Sequence, residues 1–395
     1  MKKLNNSNLT IIFSSIGHAF MHMFAAFYFV IVLSIEKTWR ISYDELITLW
    51  SLGALLVGLG ALPAGWLSDR WSRSTMMGIM FIGMGLSSIY CGLSPNKTHL
   101  FIGLSFLGLS CSIYHPVGIA WVVNSSFNKG KALGINGIFG GVGIGSGAFV
   151  AGLLINYFDW RYAFIIPGLV SIIFGSILFY CIFNKSISYK NFQTNNIEEN
   201  NSSNELFLIA FIMLFVIFGL GLTFQILQTS IPKVFDLRIV NLSTFEIGTI
   251  IGIIYGAAGI MTFVGGIMAD KFSLKKIYVI GIMAQAPCFF CIAYFSGIPL
   301  FIVCLIAVIF NSSILPTENI LLAKFTPEKH HGLIYGVKFI VAFGSAPLAV
   351  LLVSRIYELT LEFTNLFLIS GSVMIFTTFA VLFLPVKKQN LNIIN

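Results

Sequence analysis

The sequence predicts an all-α integral membrane protein, with twelve transmembrane helices in two pseudo-symmetric halves of six. Three observations lead there. Hydrophobic residues make up 57% of the 395 and charged residues only 10%, whereas soluble domains average roughly 25% charged. The apolar runs reach the length of about 20 residues that a helix rising 1.5 Å per residue needs to cross about 30 Å of hydrocarbon, and the alternating ten-residue segments of a membrane barrel do not occur. Third, a charged turn occurs twice. Gly65-Trp-Leu-Ser-Asp69-Arg70-Trp-Ser-Arg73 returns as Gly266-Ile-Met-Ala-Asp270-Lys271-Phe-Ser-Leu274, 201 positions later and about half the chain length.

Taken in order, the first six spans are expected at about 9–35, 45–67, 75–93, 100–123, 132–158 and 162–183. The stretch 184–205 changes character: it is rich in Asn and Ser, carries Lys185, Lys190, Glu198 and Glu199, and has too little apolar surface to pack. It reads as a linker between a half at 1–183 and a half at 206–395. The second six spans follow at about 206–234, 245–269, 277–295, 300–325, 333–357 and 363–384. Further repeats support the symmetry. Gly130 and Gly134 precede Gly332 and Gly336 by 202 positions, and Pro116 precedes Pro316 by 200.

Twelve spans put both termini on one side, and the bases say which. One set of connections holds fifteen Lys and Arg, including both aspartate turns, the linker and the two ends; the other holds seven. The base-rich side is therefore read as cytoplasmic, and the membrane as a plasma membrane, the bacterial inner membrane first. The net charge of +8 is spent on these loops, so no nucleic-acid partner is expected. Met1-Lys2-Lys3 leads into a run of span length without a small-residue cleavage site, so no cleaved signal is expected. All six cysteines lie within or at the ends of apolar runs; Cys288-x-x-Cys291 reads as two small hydrophobes on a helix.

The paired turns resemble the G-x-x-x-D-(R/K)-x-x-(R/K) loops of the major facilitator superfamily, and Asp159-Trp160-Arg161 is similar to a tryptophan-arginine pair common in it. The resemblance covers nearly the whole chain. Gly17-His18-x-x-x-His22 and Tyr114-His115-Pro116-x-Gly118 look like the branch that includes fosmidomycin-resistance exporters. The resemblance implies a transporter whose first, fourth, seventh and tenth spans line a central cavity. It also implies gating turns (Gly65, Asp69, Arg70, Arg73, Gly266, Asp270 and Lys271) in which Asp69 meets the start of the eleventh helix near His331 and Gly332, and Asp270 the start of the fifth. A carboxylate at a helix N-terminus is worth about 0.3–1 kcal/mol when exposed and up to ~2 when partly buried. Arg70 and Arg73 would hold Asp69 in place. The bland alternative is that the bases only fix topology and the aspartates only cap.

Ionisable groups inside spans are costly and mark function by default. His18, His22, His115, Glu318 and Lys338 are such groups. Glu318 lies about 10 Å and Lys338 about 9 Å in from the same side at 1.5 Å per residue, on consecutive antiparallel helices, so an ion pair is geometrically possible. The functional reading gives Lys338 an anionic group to attract and Glu318 a proton to take when the pair opens; the competing reading is a structural bridge. Pro316 could kink the helix beside the carboxylate. His18 and His22 share a helix face one turn apart, and His115 lies at a similar depth, about 12–13 Å. A histidine titrating near pH 6.5 could carry the coupling proton or bind a substrate hydroxyl or carboxylate, or be silent. The His18/His22 pair could hold a metal, but no carboxylate of the first half lies at that depth, and no metal is expected. Asn136, Gln225, Gln228 and Asn311 are weaker cavity candidates. Gly134, Gly143, Gly147 and Gly152 resemble an antiporter motif without its proline, Ala148 standing in that place, and close helix packing explains them equally.

No enzyme is expected. Ile144 breaks any G-x-S-x-G around Ser146, six histidines are too few for a histidine-rich di-metal site, and no P-loop is present. The expectation is a secondary active transporter of a small polar or anionic organic molecule, proton-coupled, monomeric and without cofactor. The alternatives are a proton-driven exporter of drugs or metabolites, and a transport-dead sensor on the same fold.

Overall fold

The computed structural model describes residues 6–125, 129–187, 203–326 and 331–385. The middle of the expected linker and the two chain ends lie outside these ranges, as do the connections at 126–128 and 327–330. Among the described residues, eleven helices are long and apolar enough to cross a membrane, and a bent pair, Tyr43–Leu59 with Ala61–Arg70, supplies a twelfth. No strand occurs among the described residues.

Some spans are continuous: the third (Arg73–Gly92), fifth (Lys129–Tyr157), sixth (Trp160–Phe183), seventh (Ser203–Arg238), eighth (Thr244–Lys271), tenth (Gly297–Phe325), eleventh (His331–Thr360) and twelfth (Thr364–Leu382). The first breaks at Phe27 between Asn6–Ala26 and Tyr28–Trp39. Three of the other interruptions follow from prolines. Pro63, Pro116 and Pro287 each lack the N–H that would bond four residues back, at Leu59, Ser112 and Met283, and breaks fall at Gly60, at Ser112–Ile113 and at Ala284. The second span has a further break near Trp50 with no proline. Pro316 sits inside the continuous tenth span.

Helix ends are capped by the residues that precede them. Ser72 accepts from the Thr75 N–H at 3.3 Å, Asp159 from the Arg161 N–H at 2.7 Å, and Ser243 with Glu246 forms a full capping box. At C-termini, cations meet orphan carbonyls: Arg238 donates to the carbonyls of Ala293 at 3.1 Å and Phe295 at 3.0 Å while its guanidinium holds Glu362 through two 2.7 Å bonds. Lys275 closes the twelfth helix through the Leu382 carbonyl at 2.8 Å.

The first six spans meet the last six along two seams, the fifth against the eighth and the second against the eleventh. The fifth–eighth seam is glycine on glycine. A Cβ on Gly141 would lie 2.3 Å from the Gly259 nitrogen, one on Gly145 2.7 Å from the Gly252 carbonyl, and one on Gly248 2.4 Å from the Ala148 carbonyl. On its other face the fifth span packs on the first, with Gly143 against Ala19 and Gly147 against Met23. The glycine series is thus a two-sided packing surface, which lets backbones approach where lipid offers no hydrophobic drive between helices. A Cβ on Gly134, Gly266 or Gly336 meets no described atom within 4 Å.

Overpacking a tight core costs about 1–3 kcal/mol, so Gly141→Ala is expected to lower the melting temperature of the purified protein in detergent, while Gly266→Ala does not. Equal effects at the two positions would show that the seam is not close-packed.

Candidate functional site

Glu318 and Lys338 form an ion pair at 2.7 Å, with side chains only 3% and 8% exposed. The antiparallel register and the similar rise from one membrane face bring them together, as the depth argument expects. The pair does not stand alone. The Tyr278 hydroxyl of the ninth span donates to the other Glu318 oxygen at 2.8 Å, and Lys338 also donates to Asn319 Oδ1. The carboxylate therefore lies between the ninth, tenth and eleventh spans. Buried charges need such additional bonds, because mutual attraction alone does not repay their desolvation.

In the first half, His18 is buried and its Nδ1 lies 2.8 Å from the Asn136 carbonyl. Its ring stacks on Tyr114 with centroids 4.5 Å apart. Asn136 and Tyr114 exchange hydrogen bonds of 2.7 and 2.9 Å, and Ser14 joins them, donating to the Gly118 carbonyl at 3.0 Å. This polar network fixes the first, fourth and fifth spans and the orientation of the His18 ring. His22 and His115 complete a trio in which one ring nitrogen from each histidine lies within 4.8 Å of the other two. Both ring nitrogens of His115 are sealed from solvent without a hydrogen-bond partner. Its ring lies against Phe339 and Phe343 of the eleventh span, at 5.0 and 4.8 Å. His115 thus spans the two halves one residue away from Lys338.

Between the halves, bordered by His22, Trp50, Gln225, Gln228 and Phe343, lies a cavity of ≈ 50 Å³. Water-sized centres need at least about 10–15 Å³ each, so it has room for a few waters. The first, second, seventh and eleventh spans form it, where the resemblance implied the first, fourth, seventh and tenth. Gln225 and Gln228 border it as expected of cavity candidates; Asn136 belongs to the histidine network, and Asn311 donates to Gln285 at 3.2 Å.

At the turns, Arg73 pairs with Asp69 at 3.2 Å, whereas Arg70 lies over the Trp66 ring at 3.8 Å rather than on the aspartate. Gly65 makes a close approach, a Cβ there lying 3.3 Å from Pro116, and Gly266 does not. Asp270 and Lys271 are exposed. The expected partners, at His331–Gly332 and at the start of the fifth span, have side chains outside the described residues.

One cluster was missed in the sequence. Lys233, 6% exposed, holds Glu36 of the first span at 2.7 Å and Asp236 at 2.9 Å, and Lys37 adds a 3.5 Å contact to Asp236. The Lys233 ammonium also lies 5.6 and 5.8 Å from the ring centres of Tyr43 and Tyr357. Around it, the Tyr43 hydroxyl donates to the Thr229 carbonyl at 3.1 Å and Ser354 to the Asp44 carbonyl at 3.0 Å, both bonds crossing between the halves. The base-poor face is therefore locked by contacts between the halves.

The sequence profile of the Major Facilitator Superfamily matches residues 15–253 and, in a second pass, 206–393. The chain belongs to this superfamily. Its members are transporters rather than enzymes, and the all-α multi-pass architecture is the superfamily fold. A crystal structure of a bacterial homologue of the human lysosomal transporter Spinster, inward-facing and unoccupied, superposes with a TM-score of 0.69 at 14% identity over 96% of this chain and 95% of that one. The puromycin resistance protein pur8 of Streptomyces alboniger is 28% identical over 31% of this chain and 26% of its own length. The niacin transporter NiaP of Acinetobacter baylyi is 28% identical over 36% and 33%. An uncharacterized transporter of Buchnera aphidicola is 24% identical over 68% and 65%. The chain thus spans between a quarter and two thirds of these curated relatives. Placement near the fosmidomycin-resistance branch stays an expectation of the histidine motifs alone.

Removing one partner of a buried ion pair costs about 3–5 kcal/mol, because the other charge is left uncompensated. In Lys233→Met, Glu36 and Asp236 repel across the closed face, and labelling of Thr229→Cys by a membrane-impermeant maleimide, in a background without the native cysteines, is expected to accelerate. Unchanged labelling would mean that the cluster does not hold this face shut.

Proposed function

We propose that this superfamily member is a proton-coupled secondary active transporter of a small polar or anionic organic molecule, working by alternating access around the cavity between the halves at 1–183 and 206–395. The observation that carries this reading is the buried Glu318–Lys338 pair. A lysine in an apolar span needs a negative partner. An incoming carboxylate supplies one, and Glu318, displaced, is stable there only when protonated. Arrival of the anion and uptake of the proton are then one event, and leaving reverses both. Niacin, carried by one relative, is a small carboxylic acid of this kind.

Orientation follows the bases: the base-rich face, with the linker 184–205 and both ends, is cytoplasmic, in a bacterial inner membrane. The locked face then points away from the cytoplasm, and the aspartate turns at Asp69 and Asp270 close the opposite face when Lys233 releases Glu36. Rocking of the two halves about the glycine seam exposes the cavity alternately. His18, His22 and His115, with Gln225 and Gln228, contribute polar contacts to the bound molecule. The chain works as a monomer. A resemblance to the puromycin resistance protein favours a second direction, proton-driven export, on the same machinery.

The test is movement of a panel of labelled organic acids and amphiphilic drugs into and out of proteoliposomes under an imposed pH gradient. Gradient-driven movement of one compound by the wild type is expected, as is its loss in the double neutral variant Glu318→Gln/Lys338→Met, which stays folded because no lone charge is left. Undiminished transport by that double variant would reduce the pair to a structural bridge.

A further inference from the structure

We propose that His18, His22 and His115 form a binding site for a divalent transition-metal ion whose remaining coordination position opens toward the cavity. Sequence spacing offered only the His18/His22 pair; packing of the fourth span on the first adds the third ligand. Three nitrogens no more than 4.8 Å apart have a common centre at most about 2.8 Å from each. Zinc–imidazole bonds are about 2.0–2.1 Å, so ring rotations that carry each nitrogen inward by roughly 0.7 Å close the site.

Two independent features point the same way. The Asn136 carbonyl lies 2.8 Å from His18 Nδ1, and a carbonyl accepts only from a protonated nitrogen, so Nε2 keeps its lone pair. This is the outer-shell arrangement that orients metal-ligating histidines. His115 has two buried ring nitrogens with no hydrogen-bond partner among the described residues, and a metal bond would satisfy the unprotonated one. Three imidazoles without a carboxylate suit zinc, cobalt, nickel or copper rather than magnesium or calcium, which take oxygen ligands. Three protein ligands also leave a tetrahedral ion one position short.

The chemistry of that position follows from charge. Three neutral imidazoles leave the ion doubly positive among apolar spans, with Lys338 on the residue next to Phe339, which lies against His115. An anionic oxygen or nitrogen donor from the cavity, where His22 forms part of the wall, offsets it. This part rests on the proposed transport of an anionic molecule, and it names the substrate class: small organic anions able to ligate a metal, bound together with the ion. Binding of the metal alone is read without any transport, so its failure leaves the transport reading standing.

The experiment titrates Co2+ into the full chain, purified without a histidine tag, and records the visible d–d absorption, then adds thiocyanate as a monodentate anion. Expected are one equivalent of Co2+ with the intense blue spectrum of tetrahedral coordination, a spectral shift with thiocyanate, and loss of affinity in His115→Phe exceeding the roughly 10- to 100-fold that loss of an outer-shell partner costs. His115→Phe keeps the ring stack on Phe339 and Phe343, and its melting temperature checks its fold; His22→Gln is the second variant. No Co2+ binding, a weak octahedral spectrum, or wild-type affinity in either His115→Phe or His22→Gln would overturn the site. Tetrahedral binding that thiocyanate does not change would overturn the open position.

Discussion

An ammonium or carboxylate in an apolar span is stable only beside an opposite charge, and this one constraint arranges the whole molecule. Two lysines are taken out of water here, Lys338 deep in the eleventh span and Lys233 at the end of the seventh, and both are paired at 2.7 Å. Their placement differs in what the pairing joins. Lys338 and Glu318 are both in the second half, so their bond can form and break without moving the halves. Lys233 reaches Glu36 in the first half, so its bond reports the arrangement of the halves and resists their separation at that face. One pair is suited to binding and the other to gating.

The hydrocarbon environment also decides how the halves can move. Close approach of glycines at Gly141, Gly145 and Gly248 gives a seam with no long side chains to disengage, so rotation about it sacrifices little packing. The proline break in the second span, a bend of 41° between Tyr43–Leu59 and Ala61–Arg70, lies in a helix that forms one of the seams. His115, pressed on Phe339 and Phe343 of the other half, joins the first half to the segment carrying Lys338.

The spans, their number and the half-chain repeat were legible because hydropathy and helix rise are local properties that each segment carries alone. The same arithmetic placed Glu318 and Lys338 at one depth, and antiparallel neighbours left little freedom beyond that. What could not be read were contacts set by the packing of distant helices. Tyr278 joins the ion pair from the ninth span and Asn136 joins His18 from the fifth, and neither rotation about a helix axis is written in spacing. Lys233 is instructive. It lies inside the expected seventh span, at 206–234, and its position three residues before Asp236 in an apolar helix is the available signal of a buried pair. The turns were recognised by pattern, but Arg70 lies on Trp66, since an aromatic ring one helical turn away was nearer than the aspartate next to it in sequence could be.

The account stands on the claim that Glu318 carries the proton that the bound molecule exchanges for. The most direct measurement compares two activities of Glu318→Gln in proteoliposomes: exchange of labelled for unlabelled substrate, which needs no net proton movement, and accumulation driven by a pH gradient. A glutamine cannot release a proton, so exchange is expected to continue while gradient-driven accumulation disappears. Accumulation that survives in Glu318→Gln, at wild-type dependence on the gradient, would contradict the claim and assign coupling to another group.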